Sequence, residues 1–272
     1  MSLLGPTVRR RPRSLRAVEA SRGDELDHYR AIRAIVREVQ ATIRAVVLPA
    51  LPALLATVEA PRADDLGDDL TRLWERLKAA LRGTDEPARL AAVAMLEKVQ
   101  RKHAVAFDAA YGAVLPAIDP LAGEGWLRQQ MAVAAQENAA LISSIPADLV
   151  AEVQGIVSRG VLAGSRAELL AEQIVARFAA SESRASLIAT DQVLKWHGSL
   201  QRNRQLDAGV TEYTWSSSGD ERVRPGHRRL NGTVQKWGKP PIDDPRTGAR
   251  HEPGMAVRCR CVAVPKIDGF DD

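Results

Sequence analysis

The chain has 272 residues with a formal net charge of +4, long enough for one large domain or two modest ones. The sequence contains no run of eighteen apolar residues, so we expect no membrane span. Two cysteines are too few for a disulfide scaffold. Only 4% of the residues are aromatic, which favours helices packed through small and aliphatic side chains.

The N-terminal segment, residues 1–22, contains six arginines and one acidic residue. It has little apolar content and includes prolines and glycine, a composition typical of a flexible arm. A local positive field of this kind attracts nucleic acid or an acidic protein surface. The residues predicted to make such contacts are Arg9, Arg10, Arg11, Arg13 and Arg16.

Residues 23–120 are predicted to form a helical region. Apolar residues at three- and four-residue spacing predict a helix from about Asp24, which Pro49 and Pro52 should end or kink. Leucines at positions 66–81 predict a second helix, and a third should run to about residue 115. Two prolines and two glycines in residues 115–125 then indicate a linker and a domain boundary.

Residues 121–272 are predicted to form the second domain. Four helical segments extend to about residue 209, and Pro146 suits the first turn of the second of them. The pattern then changes, and strand composition appears at 211–215, 232–237 and 259–264, separated by turn residues. The sequence therefore predicts an α+β fold: a mainly α-helical body with a small C-terminal β-rich module, residues 210–265.

The β-rich module contains both cysteines and two of the five histidines. On a strand, the side chains of Cys259 and Cys261 would point to one face. Zn²⁺ prefers about four nitrogen or sulfur ligands, and His227, His251 and the two cysteines supply that number. A structural zinc site formed by these four residues is therefore one hypothesis, and the sequence makes no cofactor certain. The alternative is that the thiols are buried as small apolar groups and the histidines make ordinary hydrogen bonds.

His227 could also serve as a general base, oriented by Asp220 or Glu221, in a nuclease or other hydrolase. The sequence contains no Gly-rich phosphate loop and no Gly-x-Ser-x-Gly motif to support such an activity. Asp220, Arg222 and Arg224 alternate along the chain. If this stretch is extended, the three side chains share a face and form an ion-pair network, the role we favour for them.

The segment "EYTWSSSGDERVRPGHRRLNGTV", followed by "HEPGMAVRCRCVAVP", resembles the phage Mu F-like minor head protein family, also called phage head morphogenesis proteins. The resemblance covers about residues 130–265. This family often has asparagine immediately before the Cys-Arg-Cys, where this chain has Arg258. The residues that match the motif are Trp215, Asp220, Arg222, Arg224, His227, Gly232, Cys259 and Cys261.

The resemblance implies a structural role in the heads of tailed phages, and the motif residues are expected to hold the module together. The expected partners are the portal protein, other capsid proteins and double-stranded DNA, with no membrane and no small-molecule substrate. The expected location is the virion, in the head interior or at the portal vertex, and the host cytoplasm during assembly. The family has no established catalytic residues, so we expect no enzyme. A metal-dependent nuclease or hydrolase that uses His227 is the alternative.

Overall fold

A computed structural model describes residues 15–58, 64–115 and 125–267. The predicted α+β class is confirmed, with long helices followed by short antiparallel strands. A short 3₁₀ helix, Leu48–Ala50, joins the first two α-helices. The α-helices are α1 (Arg22–Val46), α2 (Leu51–Val58), α3 (Asp64–Ala80), α4 (Asp85–Tyr111), α5 (Gly125–Leu162), α6 (Ala167–Asp207) and α7 (Pro225–Leu230). The strands are β1 (Glu212–Ser216), β2 (Val234–Lys236), β3 (Ile242–Asp244), β4 (Ala249–Arg250) and β5 (Val262–Pro265).

The chain divides into two compact units, and neither is continuous in sequence. The first comprises Met1–Ala20, Gln100–Glu124 and Leu194–Asp272, and the second comprises Ser21–Val99 and Gly125–Val193. Helices α4 and α6 therefore contribute residues to both units. The boundary predicted near residue 120 lies outside the described residues.

The second unit is helical and contains two apolar clusters among its described residues. The apolar residues that predicted helix α1 contribute to both clusters. Val39 and Ile43 belong to one cluster, and Ile32 and Val36 belong to the other. Helix α1 ends at Val46, before the first of the two prolines, as predicted.

The predicted break at Pro146 is wrong, because α5 runs through this residue without interruption. A proline inside a helix removes one backbone hydrogen bond and costs about 3 kcal/mol. Ile142, Ile145 and Leu149 are all buried around Pro146, so the burial of this face offsets the loss. Helix α6 is likewise one helix from Ala167 to Asp207 where the sequence predicted two.

By length and composition alone, two helical stretches could cross a membrane, Arg22–Ala56 and Gly125–Leu162. Both contribute buried residues to the apolar clusters of the second unit. Core helices of water-soluble proteins meet the same criteria, so these stretches carry no argument about a membrane.

The first unit contains the β-rich module. Its three-stranded antiparallel sheet has the order β2-β1-β5, with Thr214 of β1 opposite Val234 and Val264. Strands β3 and β4 form a separate hairpin. Tyr213 and Trp215 of the central strand are fully buried. The predicted strands at 211–215 and 232–237 are confirmed, whereas the third begins at residue 262 instead of 259.

Part of the predicted N-terminal arm also lies in the first unit. Val18 is buried beside Phe107 and Tyr111 of α4, and the Tyr111 hydroxyl donates a hydrogen bond to the Arg16 carbonyl at 2.7 Å. Residues 15–18 are therefore packed against α4. The Arg16 side chain is exposed, and the remaining arginines of the predicted contact, residues 9–13, lie outside the described residues.

Candidate metal centre

A tight turn precedes the helix that carries His227. The backbone N–H of Arg222 donates to Asp220 Oδ1 at 3.0 Å, and the N–H of Val223 donates to the Asp220 carbonyl at 3.2 Å. This local hydrogen bonding is characteristic of an aspartate at the start of a turn. Pro225 then occupies the first turn of α7, where its missing N–H costs nothing.

The extended conformation considered for residues 220–224 is therefore wrong. The shared face that an ion-pair network would need is absent from this turn. Arg224 instead donates a hydrogen bond from Nη2 to the Val257 carbonyl at 2.7 Å. This contact joins the start of α7 to the loop before the Cys-Arg-Cys.

Gly226, the second residue of α7, allows the close approach of this helix to β3. A Cβ at this position would overlap the Asp243 carbonyl oxygen and lie 2.8 Å from the carbonyl carbon. Only glycine fits such a contact without displacing the backbone. The glycine thereby brings His227 next to Asp243.

Asp243 lies at an irregularity of the β3–β4 hairpin. Ile242 pairs with Arg250 and Asp244 pairs with Ala249, so Asp243 falls at the shift in register. Bulges of this kind redirect a side chain. The Asp243 carboxylate is 3% exposed and lies 3.0 Å from His227 Nε2. Its oxygens also lie 3.0 Å from His251 Nδ1. Because a carboxylate only accepts hydrogen bonds, both ring nitrogens donate to it.

The two cysteines lie on the other side of the His227 ring. Each Sγ is 3.4 Å from His227 Nδ1, and the three donor atoms all lie within 4.8 Å of one another. His227, Cys259 and Cys261 are 2%, 3% and 4% exposed. The structure thus brings together three of the four predicted ligands. It places the fourth, His251, against Asp243.

The Cys-Arg-Cys segment is a loop, not the strand that the sequence predicted. Arg258 has a φ of 52°, in the left-handed region, and the N–H of Cys259 donates to the Ala256 carbonyl at 2.9 Å. These two features turn the chain just before the first cysteine. The conformation of this loop therefore brings both sulfurs next to His227. The expected alternation of side chains along a strand is not the cause.

The pKa values of the three groups are strongly linked. A hydrogen bond with Cys261, together with the nearby His227 ring, lowers the pKa of Cys259 to about 4. The same contact between the thiols, together with burial, raises the pKa of Cys261. The contact with Cys259, and then the Asp243 carboxylate, raises the pKa of His227 against the effect of burial. The arrangement favours the thiolate form of Cys259.

Trp215 packs against the His227 ring, and Gly232 turns the chain after α7. The Trp215 indole is fully buried and lies edge-on to the His227 ring, with a centroid distance of 5.4 Å. Gly232 has a φ of 76°, and its N–H donates to the Trp215 carbonyl at 2.8 Å. A residue with positive φ at this point lets the chain leave α7 and pair with β1.

Sequence reasoning missed Asp243 and Gly226. Asp220 and Glu221 were the acids considered as partners of His227, but Asp220 is half-buried and accepts a hydrogen bond within its own turn, and Glu221 is exposed. A usable signal was present, because metal-binding histidines commonly donate to a carboxylate and Asp243 lies between the two histidines in sequence. The steric role of Gly226 carried no such signal.

The comparisons with known proteins cover this part of the chain. Residues 151–264 match the family described as Phage Mu protein F like protein. An uncharacterized protein of Haemophilus influenzae (strain KW20 / Rd) is 36% identical over 131 residues, which is 48% of this chain and 28% of that protein. This chain therefore spans little more than a quarter of that relative. No solved structure matches the chain. The region that contains the His227–Cys259–Cys261 cluster matches the Phage Mu protein F like family, and this match supports the resemblance that the motif indicates.

Proposed function

We propose that this protein is a minor head protein of a tailed phage, acting structurally in head assembly by binding the portal vertex and other capsid proteins. The observation that carries the proposal is the family match over residues 151–264, which includes the β-rich module up to residue 264. The proposed role requires a stable module that presents a recognition surface, and the described residues fit that requirement.

The interior and the surface of the module differ sharply in character. Four of the motif residues, His227, Cys259, Cys261 and Trp215, are buried together in the interior of the module. Exposed arginines lie around them, and they are Arg222, Arg224, Arg228, Arg229, Arg246, Arg250 and Arg258. A basic surface of this kind suits an acidic protein surface or the DNA backbone, both available inside a phage head.

The alternative, a hydrolase that uses His227 as its base, is less well supported. A general base must reach the proton that it abstracts from the substrate. His227 is 2% exposed, Nε2 faces Asp243, and Nδ1 faces two sulfurs. Phosphodiesterase activity in the presence of Mg²⁺, Mn²⁺ or Zn²⁺ that disappears in a folded His227→Gln variant would overturn the structural assignment.

The first experiment is quantitative mass spectrometry of procapsids and virions from a phage that encodes this chain. We expect the protein to be present at a copy number far below that of the major capsid protein. We also expect purified portal protein to retain it in a pull-down. Absence from both particle types would contradict the proposal.

A second experiment tests the proposed contact of the basic arm with double-stranded DNA. Each arginine that neutralises a phosphate contributes about 0.9 to the slope of log K against log salt. Replacing Arg9, Arg10 and Arg11 with alanine should therefore lower that slope by up to about 3.

The matched control replaces three exposed arginines in the helices, each paired with a carboxylate three residues earlier. These are Arg30, Arg72 and Arg89. This control variant has the same net charge as the variant of the arm. An equal change of slope in both triple variants would attribute the effect to net charge and would contradict a role for the arm.

A further inference from the structure

We propose that His227, Cys259 and Cys261 bind one zinc ion, with Asp243 as the carboxylate that orients the histidine and His251 as a support for Asp243. This ligand set differs from the four-residue set that the sequence predicts, because His251 acts through Asp243 and not on the metal. The proposal is independent of the role in head assembly.

The distances within the cluster fit a single tetrahedral ion. With Zn–S near 2.3 Å and Zn–N near 2.0–2.1 Å, tetrahedral angles place a nitrogen and a sulfur about 3.6 Å apart, and two sulfurs about 3.8 Å apart. His227 Nδ1 lies 3.4 Å from each sulfur, and all three atoms lie within 4.8 Å of one another. The donor atoms therefore surround one point at a separation close to that of zinc ligands.

The hydrogen-bond partner of the second ring nitrogen of His227 also supports a metal at this site. His227 Nε2 donates to Asp243, which leaves Nδ1 to face the sulfurs. A single N–H at Nδ1 could point to only one sulfur at a time, yet the two distances are equal. A cation between the three atoms satisfies both sulfurs and the nitrogen together. The carboxylate–histidine–metal arrangement is the usual support of a metal-bound histidine.

The chemistry of the donors selects zinc over the harder divalent ions. Thiolate sulfur and imidazole nitrogen suit zinc, whereas Mg²⁺ and Ca²⁺ require oxygen ligands. The donors are buried among Trp215, Leu230 and Ala263, so bound zinc would be protected from solvent exchange. Three protein ligands leave one coordination position, which a small ligand such as water can occupy.

A zinc ion would also stabilise this small module. Its sheet has three strands of three to five residues, and its apolar cluster contains few large side chains. Modules of this size gain folding free energy from a metal that the unfolded chain does not bind as well. The ion would connect α7 to the loop before β5, in addition to the hydrogen bond from Arg224 to the Val257 carbonyl.

The test is the metal content of the full-length chain, purified under reducing conditions without chelators. We expect about one zinc per chain by elemental mass spectrometry and none in Cys259→Ser or Cys261→Ser. Asp243→Asn should bind zinc 10- to 100-fold more weakly. The adjacent variant Asp244→Asn is the matched control and should bind normally, because Asp244 is paired with Arg246 outside the cluster.

A measurement on the wild-type chain avoids the ambiguity of variants that fail to fold. Metal-free reduced protein, checked by circular dichroism, is titrated with Co²⁺. We expect sulfur-to-cobalt charge-transfer and tetrahedral absorption bands that saturate at one ion per chain and disappear on addition of Zn²⁺. A folded, reduced chain with no zinc and no such bands would overturn the proposal, as would zinc retained in both cysteine variants.

Discussion

The contact between Gly226 and the Asp243 backbone predicts that Gly226→Ala destabilises the β-rich module. A methyl group at Gly226 would overlap the Asp243 carbonyl oxygen and lie 2.8 Å from its carbon, with Pro245 Cδ at 3.3 Å. Carbon atoms in contact are ordinarily about 3.5 Å apart, so α7 must move from β3 by at least about 0.7 Å. Both atoms of the carbonyl are backbone, which a rotamer change cannot relieve.

Two opposing effects determine the size of the change. Alanine is up to about 1 kcal/mol more favourable than glycine within a helix. Overpacking costs about 1–3 kcal/mol, and displacement of α7 also lengthens the hydrogen bond from His227 to Asp243. That bond involves a charged group and contributes about 1.5–3 kcal/mol. We therefore expect a net loss of about 1–4 kcal/mol in the free energy of unfolding.

Urea unfolding followed by circular dichroism measures this change. The control is Gly67→Ala in α3, because no atom lies within 4 Å of the added methyl group and the site is exposed. We expect the control to be stabilised by about 0.5–1 kcal/mol. A Gly226→Ala variant as stable as the wild type would refute the steric argument and the close approach on which the zinc proposal depends.

Three further predictions concern the rest of the chain. Burial lowers the pKa of His28 to about 4. As the pH falls below about 6.5, His28 is therefore protonated in the unfolded chain before it is protonated in the folded chain, which lowers the free energy of unfolding. His28→Gln should therefore reduce the loss of unfolding free energy between pH 7 and pH 4 by up to about 3 kcal/mol, and an unchanged pH profile in urea unfolding would contradict this. Tyr111→Phe removes the hydrogen bond to the Arg16 carbonyl, so trypsin should cleave at Arg16 faster than in the wild type, and an unchanged rate would count against this contact. Ile43→Ala should cost about 2–5 kcal/mol because Ile43 is fully buried, whereas Leu26→Ala, 46% exposed, should cost under about 1 kcal/mol by the same assay. Equal costs would contradict the packing of α1.

The helices and strands were largely predictable because their signals are local. The apolar residues of α1 recur at three- and four-residue spacing, and two prolines follow the end of the helix. The break expected at Pro146 was wrong because core burial around α5 outweighs a local helix-breaking signal. Local signals alone do not show how much apolar surface a segment will bury.

The candidate metal centre was predictable in composition but not in arrangement. Two cysteines and two histidines in one short region pointed to a site, and three of the four residues do lie together. The place of His251 depends on the irregular register of the β3–β4 hairpin, which directs Asp243 between the two histidines. A pairing register of this kind depends on tertiary structure, so the position of Asp243 between the histidines could suggest a contact but not which histidine faces the sulfurs.

The geometry gives one physical meaning to residues around His227 that otherwise look unrelated. Pro225 begins α7, Gly226 brings it against β3, and Gly232 lets the chain turn back to β1. Each of these residues contributes to placing His227 between Asp243 and the two cysteines. The arginines interspersed among them are exposed, so they can be selected for a partner without disturbing the interior. A motif of this form therefore combines residues that build the interior of the module with arginines that lie on its surface.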